Sequence, residues 1–189
     1  MNVYDAVKSR RTIRKFKQEP IKKEDIIQII DCARLAPYGA NLQPLKFAVI
    51  EDEIQRRDIF PMIKYAGYLS DWNPEFRECP PVFIAVLNDT SLKPTDKAEC
   101  DSGAAVMSMI LAAEELGINT CWLGAIDRSG IKQALGIDDK YDITYLLGLG
   151  YGSQTGDVFD MTDSVKYYFD ENGNVHVPKR TMDEVLIEI

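Results

Sequence analysis

The sequence predicts an α+β protein, built as α/β/α layers around a mixed sheet, and three observations lead there. Helix-periodic and strand-like runs alternate along the chain instead of segregating. The apolar run Val82 to Leu87 reads as a strand buried on both faces. The segment from about Ala98 to Leu116 is apolar nearly all the way round, so it has to be covered on most sides. At 189 residues and 46% hydrophobic, the chain can bury a full core, and a single domain over residues 1–189 is expected.

Each element has a local reason. Val3 to Lys8 offers Val3, Tyr4 and Val7 on one side of a short helix. After a break at Pro20, Lys22 to Leu35 reads as an amphipathic helix with Ile26, Ile27, Ile29, Ile30, Ala33 and Leu35 on its apolar face. Ala36 to Pro44, with two prolines, a glycine and two amides, is an ordered turn-rich loop. Leu45 to Ile50 follows as a strand, and Asp52 to Leu69 as a helix interrupted at Pro61. Asp71 to Pro81 is an aromatic connection, read either as a lid or as a packed surface loop.

The second half continues the alternation. The Ala98–Leu116 helix should end at Gly117 in a left-handed cap. Its small residues Gly103, Ala104, Ala105, Ala112 and Ala113 allow another backbone close, which favours a partner subunit over the core of a lone chain. A strand over Ile118 to Ile126 arrives at Gly124. A short helix capped by Asp127 or Ser129 ends at Gly136, and Tyr141 to Tyr151 is a further strand. The Gly148, Gly150 and Gly152 series is a poor dinucleotide fingerprint, because no helix opens after it. Close passage of backbone past a ring or a partner is the better reason for those glycines. Glu171-Asn172-Gly173-Asn174 between extended runs marks a hairpin, and Met182 to Glu188 is helical.

Charge and composition exclude several functions. With formal net charge −8 and a pI near 4.7, the chain lacks the broad basic face that nucleic acid or anionic membrane requires. No apolar run is long enough to span a bilayer, and no secretory leader is visible, so a cytoplasmic protein is expected. Cys32, Cys79, Cys100 and Cys121 are widely spaced and read as reduced thiols, Cys32 as a small buried hydrophobe. The single histidine, His176, reads as exposed and structural. An engine built on histidine is therefore disfavoured, and any chemistry should come from a bound cofactor.

Against that acidic background, six of the ten residues from Lys8 to Lys17 are basic. Ser9-Arg10-Arg11-Thr12-Ile13-Arg14-Lys15-Phe16 reads either as a phosphate-holding cluster or as a solvated basic turn. Lys179-Arg180 is a second small basic group at the other end of the chain, able to share the same phosphate. The amides Asn41 and Gln43 either pair with a heterocycle edge or satisfy turn backbone.

Taken in order, the basic octet, the Ala36–Pro44 loop, Gly117-Ile118-Asn119-Thr120-Cys121-Trp122-Leu123-Gly124 and Lys179-Arg180 resemble the nitroreductase family of FMN-dependent oxidoreductases. The resemblance covers essentially the whole chain. It implies an intertwined homodimer with a mixed central sheet and two FMN sites built from both subunits. Arg10, Arg11, Thr12 and Arg14 then hold the FMN phosphate and ribityl oxygens, and Lys179 and Arg180 close on the same phosphate. Pro37, Tyr38, Gly39, Asn41 and Gln43 reach the flavin from the other subunit. The backbone N–H groups of Leu123 and Gly124 approach flavin N5 and O4, where donors favour the reduced flavin. NADH or NADPH is the implied donor, and a small electron-poor molecule such as a nitroaromatic or quinone the acceptor, in ping-pong hydride transfer. A specialised flavin reaction (reductive dehalogenation or flavin breakdown) and a non-catalytic FMN-binding module are the alternatives. Tyr38 and Gly39 replace the family's small hydroxyl residue, and Thr181 stands in place of its late proline.

Overall fold

Eight consecutive buried residues make β2 (Val82–Asp89) the strand around which the chain is assembled. The computed structural model describes residues 1–69 and 72–188. In it β2 lies between β1 (Leu45–Ile50) and β4 (Tyr141–Gly150), and β3 (Asn119–Leu123) forms the far edge, in the order β1-β2-β4-β3. Neighbouring strands pair antiparallel throughout. The parallel contact that makes this sheet mixed is an isolated bridge between Thr12 and Thr120 on the β3 edge.

Alternation along β2 sorts the core into two halves. Val82, Ile84 and Val86 pack with α2 (Lys23–Arg34) and α4 (Glu99–Glu115). Phe83, Ala85 and Leu87 pack with α3 (Glu53–Ile59) and α5 (Arg128–Ala134) on the opposite face. The three expected layers are thus present. α1 (Val3–Ser9) is capped by Asn2 and packs on α4, leaving Val3 72% and Tyr4 70% exposed.

One bulge governs β4. Val86 pairs with Tyr145 but Leu87 pairs with Ile143, so Thr144 has no opposite number. The extra residue inverts the alternation, which puts Ile143 and Leu146 on the α3/α5 face together while Leu147 and Leu149 face α4. Thr144 Oγ1 donates to the Val86 carbonyl at 3.1 Å, and Arg128 Nη2 donates to the Thr144 carbonyl at 2.9 Å.

The β4 glycines are explained by close approach. A Cβ on Gly148 would sit 2.5 Å from Pro80 Cγ, and one on Gly150 would sit 2.7 Å from both Phe16 and Pro81. Rings of this same chain occupy the space the glycines leave.

Beyond the main sheet, β5 (Gly156–Asp160) pairs parallel with β7 (Val175–Lys179), and β6 (Tyr168–Phe169) pairs antiparallel on its other side. The expected Asn172-Gly173 turn precedes β7, with Gly173 at φ +80. β5 was not expected: its two apolar residues, Val158 and Phe159, are adjacent and both exposed, so no alternation announces it.

Several boundaries and exposures differ from expectation. The helix expected to Leu69 stops at Ile59, runs into a single 3-10 turn at Phe60–Met62, and leaves as extended chain when Ile63 bridges Ile126. Asp71, the start of the expected aromatic connection, lies with Ser70 and Ile189 outside the described residues. On α2 the buried stripe is Ile26, Ile29 and Ala33, while Ile27 and Leu35 lie off it at 56% and 66% exposure. The final helix, α6 (Met182–Val185), is held by a Thr181–Glu184 capping box and ends before Leu186. Cys32 is half-buried, and all four cysteines are free. His176 is also half-buried, with Nδ1 2.8 Å from Asp157 and Nε2 3.3 Å from Asp170. Among the described residues, no helix is long and apolar enough to cross a membrane.

Candidate functional site

The basic octet is laid as extended chain between β3 and the exit of β4. Ile13 N–H donates to the Thr120 carbonyl at 3.0 Å, Lys17 N–H to Tyr151 at 2.8 Å, and Ser153 N–H to Lys15 at 2.9 Å. This double anchoring fixes the arginines against the sheet edge. Arg11 Nη1 turns back to the carbonyls of Lys8 and Arg10, both at 2.7 Å. The Nε atoms of Arg10 and Arg11 are buried, and neither has a partner among the described residues. Arg10 is held below the ordinary arginine pKa, first by burial and then by the charge of Arg11 beside it. Crowded cations with unspent donors are the setting into which an anion fits.

Arg14 is 8% exposed and has its own socket. Its Nε donates to the Tyr65 carbonyl at 2.7 Å, and its guanidinium stands 4.6 Å from the centre of the Tyr167 ring. Gln154 Oε1 accepts the backbone N–H groups of Arg14 and Lys15 at 2.8 and 2.7 Å, while Gln154 Nε2 donates to Gly173. One side chain therefore ties the octet to the turn before β7.

Lys179 and Arg180 are exposed, and Arg180 pairs with Glu184 at 3.3 Å. No hydrogen bond or ion pair among the described residues joins either of them to the octet. The Cγ of Arg11 lies beside Gly156, which is opposite Val175 at the start of β7. Lys179 is four residues further along that strand, about 13 Å away.

At the other end of β3, Leu123 is buried in the α3/α5 core while Gly124 is exposed. The Gly124 carbonyl accepts from Arg128 Nη2 at 3.2 Å, and its N–H has no partner among the described residues. A Cβ at Gly124 would meet the Tyr145 ring at 3.4 Å. From Thr120, where the octet attaches, to Gly124 is four residues of strand, or about 13 Å.

The 37–43 loop stores strain. Ala40, Asn41 and Gln43 all have positive φ, at 50, 53 and 49 degrees, and none is glycine. Each costs on the order of 1–3 kcal/mol and persists because the surroundings dictate it. Those surroundings are visible: Tyr38 OH donates to the Ala33 carbonyl at 2.9 Å, and Gly39 N–H donates to Asp101 Oδ1 at 2.9 Å. Pro37, Asn41 and Gln43 are exposed. Burial, followed by the Asp101 charge, raises the Tyr38 pKa, so its hydroxyl stays protonated as a donor. The loop precedes β1, the edge opposite β3, three interstrand spacings or roughly 14 Å across the sheet. Within one chain it does not share a cradle with Gly124.

The octet, Gly124 and the strained loop were visible as sequence features. Gln154, Tyr65, Tyr167, Lys93 and Asp101 were not. Gln154, Tyr65, Tyr167 and Asp101 act through a backbone group or a ring face far away in sequence, and Lys93 pairs with the Asp101 carboxylate, so local pattern carries no sign of them.

The pattern of the Nitroreductase family matches residues 7–151. An Archaeoglobus fulgidus protein, provisionally named NADH dehydrogenase/NAD(P)H nitroreductase, is 30% identical over 161 residues, covering 82% of this chain and 88% of that protein. An iodotyrosine deiodinase of Thermotoga neapolitana is 26% identical over 166 residues, covering 79% and 88%. Among solved structures, a nitroreductase-like protein of Desulfovibrio desulfuricans in complex with FMN superposes with TM-score 0.76 at 26% identity, covering 100% of this chain and 97% of that one. The match over residues 7–151 takes in the octet, the strained loop and Gly124, and the chain belongs to the Nitroreductase family.

Proposed function

We propose that the chain is an FMN-dependent oxidoreductase. It takes electrons from NADH or NADPH and passes them to a small electron-poor acceptor, such as a nitroaromatic or quinone, by ping-pong hydride transfer. The observation that carries this reading is the pair of buried, unpartnered Nε–H donors on Arg10 and Arg11, in a chain of net charge −8. They fit a phosphate. FMN is elongated, with phosphate at one end and ring at the other, and the free N–H of Gly124 lies along β3 from the octet.

When bound, FMN supplies the two-electron chemistry. The chain's own residues hold and orient it. Arg10, Arg11, Thr12 and Arg14 would bind the phosphate end; Lys179 at the end of β7 and Arg180 just beyond it would reach the same phosphate across the roughly 13 Å that separates them from Arg11, Arg180 giving up Glu184. The N–H of Gly124 would lie towards the ring and favour added electron density there, with Leu123 beside it turning its own N–H into the β4 ladder. Pro37, Tyr38, Gly39, Asn41 and Gln43 complete the site from a second copy, in keeping with their place on the opposite sheet edge. The exposed Val3 and Tyr4 near one terminus and the exposed run Val185, Leu186 and Ile187 near the other support a homodimer, as apolar surface that a second copy would cover. No side chain is assigned as nucleophile. A cytoplasmic location is part of the same reading.

The name of the Archaeoglobus relative supports the nicotinamide donor. The Thermotoga deiodinase supports a second reading, reductive dehalogenation at the same site. The purified protein should be yellow with bound FMN, and NADH or NADPH should bleach it. If FMN binds and neither nicotinamide bleaches it, the reductase reading fails. Assays with halogenated phenols then test the second one.

A further inference from the structure

Asp101 sits in the first turn of α4, where an acidic residue is ordinary. Its surroundings are not. The side chain is only 4% exposed, and both carboxylate oxygens point away from the helix. Oδ1 accepts the Gly39 N–H at 2.9 Å, and Oδ2 pairs with Lys93 Nζ at 2.6 Å. Lys93 is itself 13% exposed, and its carbonyl is held by Asn88 Nδ2 at 2.8 Å. Asn88 Nδ2 also donates to Thr95 Oγ1, which donates to Asp142 Oδ2 at 2.7 Å. A chain of polar contacts thus runs from β4, through the 89–97 connection, to the loop before β1.

That loop is the strained one. Gly39 immediately precedes Ala40 and Asn41, both in the left-handed region. No side chain larger than hydrogen fits at Gly39 without displacement, because a Cβ would stand 2.9 Å from Lys93 Nζ. We propose that Asp101 is a positioning residue for the cofactor. Charged and locked by Lys93, it holds Gly39 so that Asn41 and Gln43 are presented in their strained conformation before any ligand arrives. The loop then needs no ordering on binding, which raises affinity through preorganisation. The inference rests on the FMN reading for its ligand, and its test separates the two.

The test compares wild type with Asp101→Ala, Asp101→Asn and Lys93→Met. Amide exchange at Gly39 and Leu42 is measured in the cofactor-free protein, and FMN affinity by quenching of flavin fluorescence. Asp101→Ala should speed exchange at Gly39 and weaken FMN binding by roughly tenfold or more. Asp101→Asn keeps an oxygen for the Gly39 N–H and should recover part of that loss. Lys93→Met should lower the melting temperature and leave FMN affinity close to wild type, since Gly39 keeps its acceptor. Unchanged exchange and unchanged FMN affinity in both Asp101 variants would overturn the proposal. If wild type binds no FMN, the functional reading falls, while exchange at Gly39 still decides the clamp. If Asp101→Ala does not fold, Asp101→Asn carries the comparison, with exchange at Gly39 and FMN affinity both read against wild type.

Discussion

The carbonyl oxygen of Tyr65 accepts a 2.7 Å hydrogen bond from Nε of Arg14. This bond spans 51 residues and orients a buried guanidinium whose face is covered by Tyr167. Lysine has neither the side-chain Nε–H nor the flat face. Arg14→Lys should therefore weaken FMN binding by roughly tenfold or more, even though the charge is kept. Titration of the cofactor-free variant checks this, and wild-type affinity would remove Arg14 from the phosphate site.

Gln154 is the next point to probe. Replacing it by Ala leaves the N–H groups of Arg14 and Lys15 without their shared acceptor and the Gly173 carbonyl without its donor. A loss of about 2 kcal/mol in unfolding free energy is expected. Urea denaturation measures it. FMN affinity should fall in parallel, because the octet backbone loses its tie.

The Gly39 position makes a separate prediction about crowding. Gly39→Ala forces Lys93 Nζ off Asp101, since the amine is the movable end of the contact. The variant should fold with a melting temperature lowered by a few degrees, about 1 kcal/mol in effect. Adding Lys93→Met should cost Gly39→Ala less than it costs wild type, a coupling that a double-mutant cycle reads directly.

Acid should loosen the small sheet. Asp170 accepts from the backbone of Asn174 at 2.8 Å and of Asn172 at 2.9 Å, and from Asn174 Nδ2 at 3.1 Å. These donors, the Asn174 N–H foremost, lower its pKa from 3.8 to about 2. A depressed carboxylate stabilises the fold fully above its unfolded pKa and loses that contribution as pH falls through the folded one. Stability should therefore decline between pH 3.8 and about 2, and Asp170→Asn should flatten that part of the profile. Thermal unfolding followed by near-ultraviolet circular dichroism, where Tyr168 stacks on His176, reports the change.

Alkali acts on the main sheet. Burial pushes the Cys121 thiol from 9.0 up to about 11, with the Arg14 charge pulling weakly the other way. The folded state then prefers the neutral thiol. Its contribution is complete below pH 9 and is lost as pH rises towards 11, about 3 kcal/mol at most. Cys121→Ala should show a shallower decline than wild type over that window in chemical denaturation. Equal slopes would mean that the thiol does not report its burial.

Legibility followed the physics of each element. β2 and α4 were visible because contiguous apolar residues have few other uses, and α5 because Asp127 caps it as expected. β5 was invisible because a two-sided exposed strand has no pattern to betray it. The strain at Ala40, Asn41 and Gln43 could not be read either, since the usual sign of left-handed backbone is glycine. At the site, charge out of keeping with the rest of the chain exposed the octet. Asp101 stayed hidden because its helix position already explained an acidic residue.

The unpaired Thr144 has a consequence for how the chain finds its alignment. A ten-residue strand with apolar side chains on both faces could slide by two residues along β2 and still keep oil against oil. Such a slip is cheap when a strand repeats evenly. It is not cheap here, because the two ends of β4 are out of phase and only one alignment places the phase change beside Val86. Thr144 therefore works as a key in a lock. It holds β4 to one seating, and with it the end of β3 that bears Gly124.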